Sequence, residues 1–339
     1  MNPTPKPTYQ DTRKRETEPN RNTIPDWRET LKSQVRVDAG QWPDIYRHPE
    51  YRPEAENLFA LRAPAAFLRD APDALLKQIL PSAQELTDTE TQTDAVNDSG
   101  HTVAPGVIHK YKGRVLLIAN GLCAINCRYC FRRHFPYTQH YASHNNWQAS
   151  IDYLTNHQDV HEVILSGGDP LTLGTNRLRA LTNQLAALPW IRTLRIHTRV
   201  PVVLPQRITG NLLQWLHDLP LHKVLVTHIN HSAELTGEHH RIFEALRQAG
   251  TILLNQSVLL KGINDSARTL VSLSHRLFSY GILPYYLHQL DRVQGVSHFA
   301  VSDSQALAIH AKLQAALPGY LVPKLVQEIP RKPAKTLLF

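Results

Sequence analysis

Arg114-Val-Leu-Leu-Ile-Ala-Asn-Gly-Leu-Cys123-Ala-Ile-Asn-Cys127-Arg-Tyr-Cys130 holds an apolar run and then every cysteine in the chain. The run, Arg114–Ile118, reads as a strand. The three thiols follow it in a C-x₃-C-x₂-C spacing. Thiolate is the ligand that holds iron–sulfur clusters, and three thiolates leave one iron of a four-iron cluster open to a small molecule. A zinc site with His134 as fourth ligand is the competing reading, although zinc spacings usually come as two separated pairs.

Working outward, five more apolar runs follow at Glu162–Leu165, Thr193–His197, Lys223–His228, Thr251–Leu259 and Leu283–Leu287. Helix-length amphipathic segments near Asn146–Asn156, Thr175–Leu188, Thr209–Leu219, Ser232–Ala249, Ser266–Tyr280 and Ser302–Leu317 lie between and after them. Six β-then-α units predict a parallel sheet. Polar residues recur at or just past the strand ends: Ser166-Gly167-Gly168-Asp169, His197-Thr198-Arg199, His228-Ile229-Asn230, Asn255-Gln256-Ser257 and His288-Gln289. Such gathering fits a barrel-type active site. Upstream, residues 1–25 have the polar composition of a disordered terminus. Residues 26–105 read as helical and irregular, with helical spacing at Trp27–Val35 and Asp73–Leu80. Asp88–Pro105 is a polar, turn-rich, exposed connection.

The chain has 339 residues and a formal net charge of +8. Three clustered cysteines cannot form a disulfide framework, so a reducing interior and a cytoplasmic location are expected. The start has no apolar h-region, and no apolar run reaches the ~18 residues of a membrane span. The positive charge permits a phosphate- or carboxylate-bearing ligand, but there is no basic tail or interleaved aromatic run suited to nucleic acid.

The cysteine spacing resembles that of the radical S-adenosylmethionine (SAM) enzymes. Ser166-Gly167-Gly168-Asp169 resembles their glycine loop, which contacts the amino group of SAM; a tight turn before a helix is the alternative. Thr198–Ile208, Asn255–Asp265, Leu283–Tyr286 and Tyr320–Pro323, taken in order with Arg114–Ile118, are similar to lysine 2,3-aminomutases, most of all the short bacterial branch that supplies β-lysine for elongation factor P. The resemblance spans about residues 100–335. It implies an α/β fold: a partial (βα)₆ barrel over 106–317, an N-terminal mostly helical extension over 26–105, and a short C-terminal segment over 318–339.

The same resemblance implies a [4Fe–4S] cluster on Cys123, Cys127 and Cys130, SAM, and pyridoxal 5′-phosphate (PLP). The PLP lysine falls on Lys335, with Lys332 as its rival in Pro330-Arg-Lys-Pro-Ala-Lys335. Lys110, Tyr111 and Arg114 are the implied phosphate donors. Arg132 would bind the substrate α-carboxylate, with Arg133 able to do the same. Asp265 and Glu328 would face the substrate ammonium, although Asp265 also suits a helix N-cap. The implied reaction is a 1,2 amino shift that turns L-lysine into β-lysine through a 5′-deoxyadenosyl radical, fed by an electron-donor protein. Arginine or glutamate as substrate, a radical-SAM enzyme acting without PLP, and a non-catalytic metal protein remain open at this level.

Overall fold

The computed structural model describes residues 26–34, 43–68, 71–140 and 147–339. The expectation for residues 1–25 lies outside them. Ten strands form one sheet in chain order: β1 (Thr102–Ala104), β2 (Val107–Tyr111), β3 (Arg114–Asn120), β4 (Glu162–Gly167), β5 (Thr193–Thr198), β6 (His222–His228), β7 (Thr251–Val258), β8 (Leu283–His288), β9 (Lys324–Gln327) and β10 (Thr336–Leu337). β3 through β9 pair in parallel. β1, β2 and β3 are joined antiparallel, as are β9 and β10. The sheet curls as a partial barrel whose edges do not pair.

Side-chain alternation divides each strand between two environments. On β4, Val163 and Leu165 are fully buried toward the helices, whereas Ile164 and Ser166 line a central cavity. On β5, Leu194 and Ile196 face the helices, and Arg195 and His197 face the cavity. The crossover helices are Gln148–Thr155, Thr175–Ala186, Gly210–Asp218, Gly237–Gln248, Ala267–Ser279 and Asp303–Ala316. Their starts follow from capping: Thr209, Ser266 and Ser302 accept from Leu212 N, Thr269 N and Gln305 N. Their apolar stripes, such as Leu178, Leu181 and Leu185, seal the outside of the sheet.

Two regions differ from expectation. Lys324–Gln327 is a seventh parallel strand beside β8, so the C-terminal segment belongs to the sheet. Four residues are too short to give a periodic signal. The stretch 88–105 is not a simple exposed connection, because Val96 and Asp98 are buried and line the cavity. The upstream region is also a bed for the cysteine loop. Arg128, between Cys127 and Tyr129, is fully buried. Its guanidinium donates to Glu85 Oε1 at 2.8 Å, to Ala55 O at 3.1 Å and to Phe59 O. Glu85 closes a capping box with Ser82 and also pairs with Arg133 at 2.8 Å.

Candidate active site

One cavity of about 470 Å³ runs inside the curled sheet. All three cysteines line one end of it. The loop that carries them starts from a tightly built turn. Asn120 Oδ1 accepts from Leu122 N at 2.9 Å, and Leu122 O accepts from Asp169 N at 2.8 Å. Gly167 has φ +110°, and a Cβ on Gly168 would lie 2.6 Å from Leu122 O. The two glycines therefore let β4 press against the loop.

Burial pushes the Cys123 thiol well up and the Cys130 thiol to about 11, with neighbouring thiols adding to both. A bound metal cation would displace these protons and hold the thiolates. Arg199 Nη1 donates to Cys127 Sγ at 2.8 Å. Its other terminal nitrogen is fixed by Gln78 Oε1 at 2.6 Å and Glu234 Oε2 at 2.8 Å. The donor set fits a cluster better than a single zinc ion. His134 turns away to Gln294 O at 3.0 Å.

Asp169 is buried, and its carboxylate already accepts from Leu171 N, Thr198 Oγ1, Arg199 N and Val200 N at 2.7–3.2 Å. It ties β4 to the start of the turn after β5, a role beyond the contact with a ligand ammonium read from sequence. Nearby, Tyr129 OH lies 3.0 Å from His228 Nε2. Burial and Arg199 press His228 down to about 3, and burial keeps His197 and His288 well below their usual range. All three imidazoles line the cavity as neutral rings.

The other end of the cavity is ionic. Lys335 lines it and pairs with Glu328 Oε2. Glu328 Oε1 accepts from Tyr111 OH at 2.5 Å, and Lys110 Nζ lies 3.6 Å away. Burial favours the protonated Glu328 acid, but Lys335, Tyr111 and Lys110 together outweigh it and hold the carboxyl low. Lys110 and Arg132 share the carboxylate of Asp98, at 2.7 Å and 2.6 Å. They overcome the burial of Asp98 and hold it at about 2. Arg132 also donates to Ser166 Oγ at 3.2 Å. Arg114 stands over the Tyr111 ring at 4.7 Å. Asp291, three residues beyond β8, lines the cavity too; burial, aided by Glu328 and Asp98, lifts it to about 7.

Three sequence candidates lie elsewhere. Asp265 is half-buried but does not line the cavity, and the N-cap of the helix it precedes is Ser266. Arg133 is bound to Glu85, Arg128 O and Gly295 O. Lys332 is exposed on a turn. The sequence reading missed Asp98, Asp291 and the Gln78–Tyr129–Arg199–Glu234 network. Asp291 carried a signal, since it follows His288-Gln289 at a strand end.

A thiol loop after the first parallel strand, opening into a barrel mouth, is the arrangement of a radical-SAM enzyme. No protein-family model matches the chain. The L-lysine 2,3-aminomutase of Escherichia coli is 46% identical over 84% of this chain and 84% of its own length, and that of Haemophilus influenzae is 46% identical over 84% and 86%. The longer L-lysine 2,3-aminomutase of Clostridium subterminale is 36% identical over 79% of this chain and 64% of its own length. The chain belongs to the L-lysine 2,3-aminomutase family, a group of isomerases, and membership implies a [4Fe–4S] cluster and SAM. No described helix is long and apolar enough to cross a membrane.

Proposed function

We propose that the chain converts L-lysine to β-lysine with PLP as second cofactor, and that the product feeds elongation factor P modification in the cytoplasm. One observation carries the reading: a single cavity joins three cluster-type thiols to a lysine flanked by paired acids and an arginine. When bound, the cluster with SAM would supply hydrogen-abstracting radical chemistry, and PLP would supply stabilisation of the migrating nitrogen.

The residues divide this work. Cys123, Cys127 and Cys130 would hold the cluster, with Arg199 steadying Cys127. Gly167 and Gly168 would shape the wall beside SAM, and Ser166 and Asp169 would complete it. Lys335 Nζ would bind the PLP carbonyl, and Lys110, Tyr111 and Arg114 would meet the phosphate. Arg132 would grip the substrate carboxylate with its planar fork. Glu328 and Asp291, which line the cavity as Asp265 does not, would face the ε-ammonium. Pairing two acids with one ammonium offsets the cost of burying each charge. A cavity sealed by neutral histidines and apolar strand residues keeps water from a reactive radical.

The test is an anaerobic reaction of reconstituted protein with SAM, PLP, a reductant and L-lysine, read by chromatography and mass spectrometry. β-Lysine that requires both SAM and PLP is the expected product. SAM cleavage without β-lysine would leave the radical chemistry standing and overturn the substrate or the PLP assignment.

A further inference from the structure

The cysteine loop has a second face. Outside the barrel lies a groove of about 400 Å³ walled by Trp27, Arg28, Leu31, Lys32, Arg62 and Leu122. Leu122 precedes Cys123 directly and is 39% exposed. Arg62 Nη1 donates to the Cys123 carbonyl at 3.4 Å. The groove thus borders the cluster loop at Leu122. Three cations ring it, against two acids on the same short helix, Asp26 beside Arg28 at 3.6 Å and the exposed Glu29. The whole chain is positive as well, at +8.

A radical-SAM centre consumes an electron that must arrive from outside. The inner cavity cannot admit a protein: at about 470 Å³ it has the size of a small-molecule site. We propose that the outer groove docks an acidic redox protein carrying a low-potential one-electron group. The donor loses one electron and the cluster gains it, with no bond made or broken. Arg28 and Lys32 would steer donor carboxylates, while the half-buried Leu31 and the exposed Leu122 supply an apolar floor for close contact. The inference rests on the cluster assignment and is independent of lysine and PLP.

The test uses reduced flavodoxin as donor and follows cluster absorbance in an anaerobic stopped-flow instrument without lysine or PLP. Lys32→Glu should lower the second-order reduction rate at least tenfold at low salt, leave reduction by dithionite unchanged, and weaken the salt dependence. Arg241→Glu, the same charge change on an exposed helix away from the groove, should have little effect. Carbodiimide coupling of the cluster-free protein to oxidised flavodoxin should join Lys32 to a donor carboxylate in peptide maps. Equal rates for wild type and both variants, equal losses in both variants, or cross-links that omit Lys32 would overturn the proposal. If a variant fails to assemble its cluster, the cross-link on the wild-type protein decides.

Discussion

Arg132 Nε donates to Asp98 Oδ2 at 2.6 Å across 34 residues of chain, and the acid is 1% exposed. Asp98 therefore aims the guanidinium along the cavity wall while Lys110 neutralises its other oxygen. Asp98→Asn keeps the shape and removes the charge. KM for lysine should rise about tenfold with a smaller change in kcat, the result of a loosened Arg132, since 1.4 kcal/mol corresponds to about tenfold. Asp98→Ala breaks a buried pair and should also cost about 3–5 kcal/mol of stability. The stabilisation from Asp98 is present above pH ~4 and lost as pH falls toward about 2, because its folded pKa is depressed. Thermal unfolding followed across this pH range checks the sign.

Lys335 and Lys332 are three residues apart, yet only Lys335 lines the cavity. Lys335→Ala should abolish borohydride-fixable PLP and leave iron content unchanged. Lys332→Ala should retain both. Peptide mapping of the reduced protein distinguishes them, and a fixed cofactor in the Lys335 variant would contradict the assignment.

Six of the seven parallel strands were legible because each joins an apolar run to a helix of matching stripe, as Val163-Ile164-Leu165 does with Leu178, Leu181 and Leu185. The cysteine loop was legible from spacing alone. The acids were harder. Asp265 sits in a helix-start motif that looks the same whether it faces a cavity or not. Asp98 lies in a polar stretch, and its burial depends on Lys110 and Arg132, cations it meets only in the folded chain. β9 escaped notice because its four residues gain their hydrogen bonds from β8 and its buried side chains, Leu325 and Val326, are too few to show a period.

Asp291 titrates near 7 in the ligand-free cavity, so its proton competes with a cation. A bound ammonium favours the carboxylate and would draw that pKa down. Lysine binding should therefore weaken as pH falls below about 7, by calorimetry of the PLP-loaded protein. The stability effect has the opposite sense. A raised acid makes the folded state bind more protons than the unfolded one, so stability is lost as pH rises from ~4 to about 7. Asp291→Asn should stabilise the ligand-free protein most above pH 7 and not at all below about 4, while raising KM for lysine. Glu328→Gln should raise KM as well, with reduced selectivity against uncharged amino acids.

Gly168 sets the distance between β4 and the cluster loop. An added Cβ would meet Leu122 O at 2.6 Å and Gly121 C and Leu122 N at 2.7 Å, all backbone atoms that cannot swing aside as a side chain would. Gly168→Ala must therefore displace either the glycine loop or the turn that leads into Cys123. Overpacking of this kind costs about 1–3 kcal/mol, and here the strain falls next to the first cysteine. The expected outcome is a folded protein with unchanged far-ultraviolet dichroism, lower iron and sulfide per chain after reconstitution, and faster loss of iron to a chelator. Gly174→Ala provides the control: its Cβ would come only within 3.7 Å of the Arg28 guanidinium, a contact a flexible side chain can relieve. Iron retention equal to wild type in Gly168→Ala would show that the turn yields without disturbing the thiols.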